Sequence, residues 1–196
     1  MKRIVDILFS FCGLALLLPF FILLAFLIII DSKGGVLYKQ VRVGKNGKDF
    51  HLYKFRSMRT DADKNGLLTI GGRDSRITKI GYTIRKYKLD ELPQLINVLV
   101  GDMSLVGPRP EVRKYVNLYN AQQLTVLNVK PGITDYASIE YSNENKILGK
   151  AENPEEVYIK EIMPAKLSLN LKYIAEQGLV TDFTIILKTI RKIIGD

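Results

Sequence analysis

The chain has 196 residues, one cysteine (Cys12), one histidine (His51), 47% hydrophobic residues and a formal net charge of +9. A single cysteine excludes a disulfide framework and a Cys-based zinc site, and a single histidine excludes His-rich metal centres and argues against Ser–His or Cys–His catalysis. A chain this basic and this apolar points away from nucleic acid and toward an anionic membrane surface or phosphate-bearing substrates, with any metal hard and oxygen-ligated, Mg2+ first.

After "MKRIVD", Ile7 to Ile30 form a run of twenty-four residues without a charge. That exceeds the roughly 20 residues that span a bilayer. Its length, and the lack of a small-residue cleavage site after it, set it apart from a signal peptide. Pro19 sits mid-run, where it removes one helical hydrogen bond and crowds the preceding turn, so a kink is expected. Lys2 and Arg3 precede the run, and Lys33, Lys39, Arg42, Lys45 and Lys48 follow it. The positive-inside rule would hold both ends in the cytoplasm. A straight span cannot satisfy that, whereas a proline-broken re-entrant helix that dips in and returns can. A proline-kinked spanning helix is the alternative. The chain divides into this membrane segment, 1–31, and one further domain, 32–196.

Residues 36–56 read as two strands around Asn46-Gly47, a hairpin-turn signal. His51 falls in the second strand and is read as structural. Residues 31–60 carry a local net charge of +6, either a solvated face or a surface placed to meet lipid headgroups or a phosphorylated ligand. The polar stretch 61–76 reads as a loop. Ile77, Ile80, Ile84 and Tyr87 then fall at helical spacing.

Residues 88–95, "KLDELPQL", set two carboxylates ahead of a proline and an apolar helical pattern. The ordinary reading is a helix start, since Asp caps helices and proline is tolerated in a first turn. Against it stand Arg76, Lys79, Arg85, Lys86 and Lys88, with no acid between Ser75 and Leu89. Such cations keep a carboxylate ionised and can hold a polyanionic substrate beside it. From Asp90 the pattern Leu92, Leu95, Ile96, Leu99 predicts a short helix ending at Gly101.

"GDMSLVGPRP" (101–110) predicts rigid turn structure. Arg109, between two prolines, is set either for a bidentate grip on phosphate or for a structural pairing with a carboxylate. Pro110 and Glu111 open a helix. Residues 129–141 read as a turn and an extended segment, and Asn153-Pro154 starts another helix. At the C-terminus Phe183, Ile186, Leu187, Ile190, Ile193 and Ile194 share one face, which suits either a core helix or one lying in the bilayer interface.

In order, the chain carries "KRIVD" before a proline-broken apolar run, "QVRVGKNGKDFHLYKFRSM", "IRKYKLDELPQLINVLVGDMSLVGPRP" and "KPGIT". Over essentially its whole length it resembles the bacterial sugar transferases known as monotopic phosphoglycosyl transferases, in their minimal, catalytic-domain-only form. The resemblance implies an α+β fold: a mostly helical small catalytic domain with a β-hairpin, a re-entrant N-terminal membrane helix and interfacial amphipathic helices. It implies transfer of a sugar-1-phosphate from a UDP-sugar to polyprenyl phosphate, releasing UMP, at the cytoplasmic face of the bacterial inner membrane. It also implies a Mg2+-dependent Asp–Glu dyad, which falls on Asp90, as covalent nucleophile and metal ligand, and Glu91. By the same matching Lys54, Arg56, Arg85 and Arg109 are phosphate contacts. One departure stands out. Where many members read "GITGWAQVNGR", this chain reads "GITDYASIEYSNE" from Gly132, with Asp135 and Tyr136 in place of Gly-Trp and no counterpart of the final arginine. This implies different sugar recognition. Two rival readings are a non-catalytic membrane adaptor with a lipid-binding basic face and a phosphohydrolase of similar architecture.

Overall fold

The computed structural model describes residues 1–60, 62, 68, 69, 71 and 74–195; most of the loop expected over 61–76 lies outside them. The chain opens with a helix of 30 residues, α1 (Lys2–Asp31), helical on both sides of Pro19 and through it. The expected pair of helices separated by a break is therefore one element, about 45 Å if straight. Proline deletes a single backbone hydrogen bond, and the apolar neighbours on either side keep their own.

One stripe of α1 faces the rest of the molecule along its whole length. Lys2 donates to Val106 O (2.9 Å) and to the Asp182 carboxylate (2.5 Å), Arg3 Nη2 to Leu99 O (2.9 Å), and Asp6 accepts from Ser104 Oγ and Leu105 N–H. At the other end, Leu24 and Ile28 are buried with Phe55 and Ile84, and Asp31 accepts from Ile80 N–H at 2.9 Å. The opposite faces leave Ile4, Leu8, Phe11, Leu16, Ile22, Phe26 and Ile30 exposed.

The predicted hairpin is present as antiparallel β1 (Leu37–Val43) and β2 (Asp49–Phe55), paired from Leu37↔Phe55 to Val43↔Asp49. Asn46 (φ 58°) and Gly47 (φ 73°) take the left-handed turn conformations that these residue types tolerate best. Helix α2 (Lys79–Lys86) follows, capped by Thr78. Asp90 and Glu91 sit not in an α-helix but in a 3-10 turn, Leu89–Glu91, and α3 (Gln94–Val100) begins only after Pro93. The reason is Lys88, whose left-handed backbone (φ 56°) turns the chain sharply out of α2.

The 101–110 segment is not all turn. Ser104–Val106 forms β3, which pairs in parallel with β4 (Gly132–Thr134). The short helices α4 (Arg113–Val116), α5 (Ala121–Leu124), α6 (Tyr136–Glu140) and α7 (Glu144–Leu148) complete the middle of the chain. The segment expected to stay extended to residue 141 is thus extended only through β4. Helix α8 (Pro154–Val157), capped by Asn153 as expected, runs through a π turn at Tyr158–Ile162 into α9 (Met163–Glu176), and α10 (Leu179–Gly195) closes the chain.

The fold is α+β, as predicted, with its main apolar core under α8–α9: Tyr115, Leu148, Tyr158, Ile162 and Leu167 pack together there. Helix α10 buries Asp182 and Ile185 against the domain and leaves Phe183, Leu187, Ile190 and Ile194 exposed. The apolar face seen in the sequence is therefore largely the outer face, not the core face. Together with the outer side of α1 it presents a long series of exposed apolar side chains.

Candidate active site

Three elements converge on the acidic pair. Lys88 and the 3-10 turn deliver Asp90 and Glu91, strand β2 delivers Lys54, and the Pro108–Pro110 segment delivers Arg109. Asn97 locks α3 to β2: its Nδ2 donates to His51 O at 2.7 Å, and its Oδ1 accepts from Tyr53 N–H at 3.0 Å. This buried residue holds Lys54 beside the dyad. Nothing in the sequence reading singled it out; an asparagine on the apolar side of α3 was the available signal.

The two carboxylates have different surroundings. Glu91 is gripped by both ends of the Arg109 guanidinium, Nη1 to Oε2 at 2.9 Å and Nη2 to Oε1, and Lys54 Nζ lies 3.5 Å from Oε1. Burial would raise the Glu91 carboxyl, but Arg109 and Lys54 outweigh it and hold Glu91 well below the usual carboxylate range. Glu91 in turn raises Arg109, against the opposing effect of burial. Asp90 is 4% exposed, and no hydrogen-bond donor among the described residues reaches its carboxylate. Burial, with the charge of Glu91 next, pushes Asp90 up, while Lys54, Arg85 and Lys88 pull it down. The cations thus moderate a raised carboxyl, rather than depress it as the charge pattern suggested. Lys54 is lowered to about 8, by burial against the attraction of Glu91.

The remaining candidates separate. Arg85 bears on Asp90 through its charge while its Nη2 donates to Thr69 Oγ1 at 3.0 Å. Arg56 turns to the end of α1 instead: Nη2 donates to Ile28 O (3.2 Å) and Ser32 O (2.6 Å), at the carbonyl end of that helix. Arg109, left open between phosphate and carboxylate, is paired with a carboxylate, that of Glu91. No three His, Cys, Asp or Glu side chains among the described residues gather as a metal cluster. Since both Glu91 oxygens are engaged, Asp90 is the carboxylate of the pair that a metal could meet. One carboxylate plus substrate phosphates and water is a donor set that suits Mg2+.

A family model described as bacterial sugar transferase matches residues 1–196. A Bacillus subtilis (strain 168) protein, named provisionally as an undecaprenyl-phosphate N-acetylgalactosaminyl 1-phosphate transferase, is 52% identical over 110 residues, 56% of this chain and 62% of the relative. An Aeromonas hydrophila protein, named UDP-N-acetylgalactosamine-undecaprenyl-phosphate N-acetylgalactosaminephosphotransferase, is 37% identical over 98% of this chain and 43% of its own length. The exopolysaccharide production protein PSS of Rhizobium leguminosarum bv. phaseoli is 37% identical over 97% of this chain and 93% of its own. The chain thus spans less than two thirds of the first two relatives and nearly all of the third. With the family model matched from end to end, this chain belongs to the bacterial sugar transferase family.

Proposed function

We propose that this chain is a phosphoglycosyl transferase that moves a sugar-1-phosphate from a UDP-sugar to polyprenyl phosphate. The observation that carries the reading is the asymmetry of the dyad. Glu91 takes up Arg109 and Lys54, which leaves Asp90 buried, raised and without a hydrogen-bond donor among the described residues. A carboxylate so stripped of donors is a better nucleophile than a solvated one. In the proposed sequence an Asp90 oxygen attacks the sugar-bearing phosphorus, the phosphoanhydride bond breaks and UMP leaves. An oxygen of polyprenyl phosphate then attacks the same phosphorus, the bond to Asp90 breaks, and a polyprenyl diphosphate sugar is released. The relative named as a UDP-N-acetylgalactosamine-undecaprenyl-phosphate transferase supports both substrate classes.

Glu91 serves as an electrostatic and positioning group, because a carboxyl held so far down is a poor proton acceptor near neutral pH. In this reading Lys54 and Arg85 would meet the diphosphate, and Arg109 acts mainly through Glu91. Mg2+, bound through Asp90 and the substrate phosphates, would neutralise charge on the transferring group.

The ends of α1 support a membrane-inserted, non-spanning placement. Lys2 and Arg3 at one end and Asp31 at the other bond to one and the same domain. A helix that crossed the roughly 30 Å hydrocarbon core would put its ends on opposite sides. With basic residues flanking both ends, this favours a re-entrant α1 and the cytoplasmic face of the inner membrane.

The test omits the acceptor. With Mg2+ and radiolabelled UDP-sugar, the enzyme should release about one equivalent of UMP per active site and keep the labelled phosphosugar. Asp90→Asn should do neither. Label on Asp90→Asn, or UMP release only after polyprenyl phosphate is added, would refute the covalent route. Continuous release of free sugar phosphate without acceptor would point to a phosphohydrolase, and no chemistry at all to a membrane adaptor.

A further inference from the structure

Asp135 is fully buried, at 0% exposure, at the position where the chain departs from the family pattern, and the chemistry above does not use it. Past β3 the chain stays against β4: Gly107 N–H donates to Thr134 O and Gly132 N–H to Pro108 O, each at 3.0 Å. Two glycines allow this approach, since a Cβ on Gly132 would stand 2.0 Å from the Gly107 nitrogen. The next donor along that edge is Arg109 N–H. It is also the only backbone donor between Gly107 and Glu111, because Pro108 and Pro110 have none. Strand β4 cannot supply an acceptor there, as the chain turns into α6 at Tyr136.

The Asp135 side chain supplies it. Its Oδ2 accepts from Arg109 N–H at 3.1 Å, while Oδ1 accepts from Ser138 N–H at 2.6 Å and caps α6. A cap needs one oxygen, which serine, threonine or asparagine provides as well. Burying a whole carboxylate is costly, and no cationic side chain among the described residues forms an ion pair with it; the Arg109 guanidinium bears on it only through its charge. The second oxygen is what a cap alone leaves unexplained.

We infer that Asp135 is a positioning residue for the transfer reaction: by fixing the Arg109 backbone, its carboxylate aims the guanidinium so that both Nη atoms meet Glu91. This rests on the reaction proposed above and adds a residue to it. Asp135 touches no substrate; it acts through Arg109, and through α6 it joins the dyad to α9 and α10, on which α6 packs.

The test combines Asp135→Ala and Asp135→Asn, each alone and with Arg109→Lys, at a temperature where melting curves show every variant folded. Asp135→Ala should lower kcat on the order of 10- to 100-fold, as small misplacements of catalytic groups do. Its KM for the UDP-sugar should stay within about twofold, and Asp135→Asn, which keeps one acceptor oxygen, should lose less. On the Arg109→Lys background, Asp135→Ala should add less than about twofold, because both changes act through one contact. The assignment is overturned if the two losses multiply in full, if the loss falls in KM with kcat intact, or if folded Asp135→Ala turns over like the parent. A parent enzyme with no transfer activity is a separate result, which removes the reaction and not this positioning role alone.

Discussion

Replacing Lys54 by arginine separates the charge of this residue from its titration. Lys54 Nζ lies 3.5 Å from Glu91 Oε1, with the side chain 16% exposed. Burial is the largest influence on it, lowering the ammonium from 10.5 to about 8 against the attraction of Glu91. That displacement corresponds to about 3 kcal/mol between the charged and neutral forms. The sign for stability follows. Between about pH 8 and pH 10.5 the unfolded chain binds a proton that the folded chain has released, so this group's unfavourable contribution is full below pH 8 and fades as pH rises. For catalysis the direction is opposite, because a cation facing a diphosphate is useful only while protonated. The pH profile of kcat/KM, which reports the free enzyme, should therefore fall above about pH 8, roughly tenfold per pH unit for one essential proton. Lys54→Arg stays charged across that range, so its plateau should be lower but extend beyond about pH 9.5. Initial rates of labelled sugar-phosphate transfer from about pH 6.5 to pH 10 give both profiles. A limb near pH 8 that survives in Lys54→Arg, or a parent profile flat to about pH 9.5, would refute the placement of a protonated Lys54 at the phosphates.

Two further outcomes are expected. An N-terminal tag should be inaccessible to reagents in intact cells and accessible in inverted vesicles, because Lys2 is bonded to the same domain that holds Asp31; a tag exposed on the periplasmic side would exclude the re-entrant placement. On α10, Ile185→Ala removes a residue with 0% exposure and should destabilise the enzyme in detergent by about 2–5 kcal/mol, read from its melting curve. Leu187→Ala, at 57% exposure, should leave that melt nearly unchanged and instead weaken liposome association; equal effects of the two variants on both readouts would contradict the outward face assigned to α10.

Local chemistry made several features readable from the sequence. Asn46-Gly47 specifies a turn because these residues take left-handed backbone, and the hairpin formed where expected. Asn153 caps its helix, as read, because a short side-chain oxygen reaches a free N–H. The charge-free run Ile7–Ile30 and its basic flanks pointed to the membrane, and the dyad was conspicuous as two carboxylates after a series of cations.

Residue order left other features undecided, because their causes lie in contacts between distant segments. Whether Asp90 or Glu91 is the free carboxylate depends on Arg109 and Lys54, which arrive from other elements and choose Glu91. Arg56 resembles Lys54 in the sequence as a neighbouring cation, yet it faces the carbonyls at the end of α1. The apolar periodicity of α10 could not separate a core face from an outer face; that follows from Ile185 and Asp182 turning inward. Asp135 read only as a departure from the family pattern within an extended segment until folding set it under Arg109. Composition and local propensity mark turns, caps and the long apolar run. The electrostatics of the dyad come from long-range packing, since burial and the partner of each charge exist only once the segments meet.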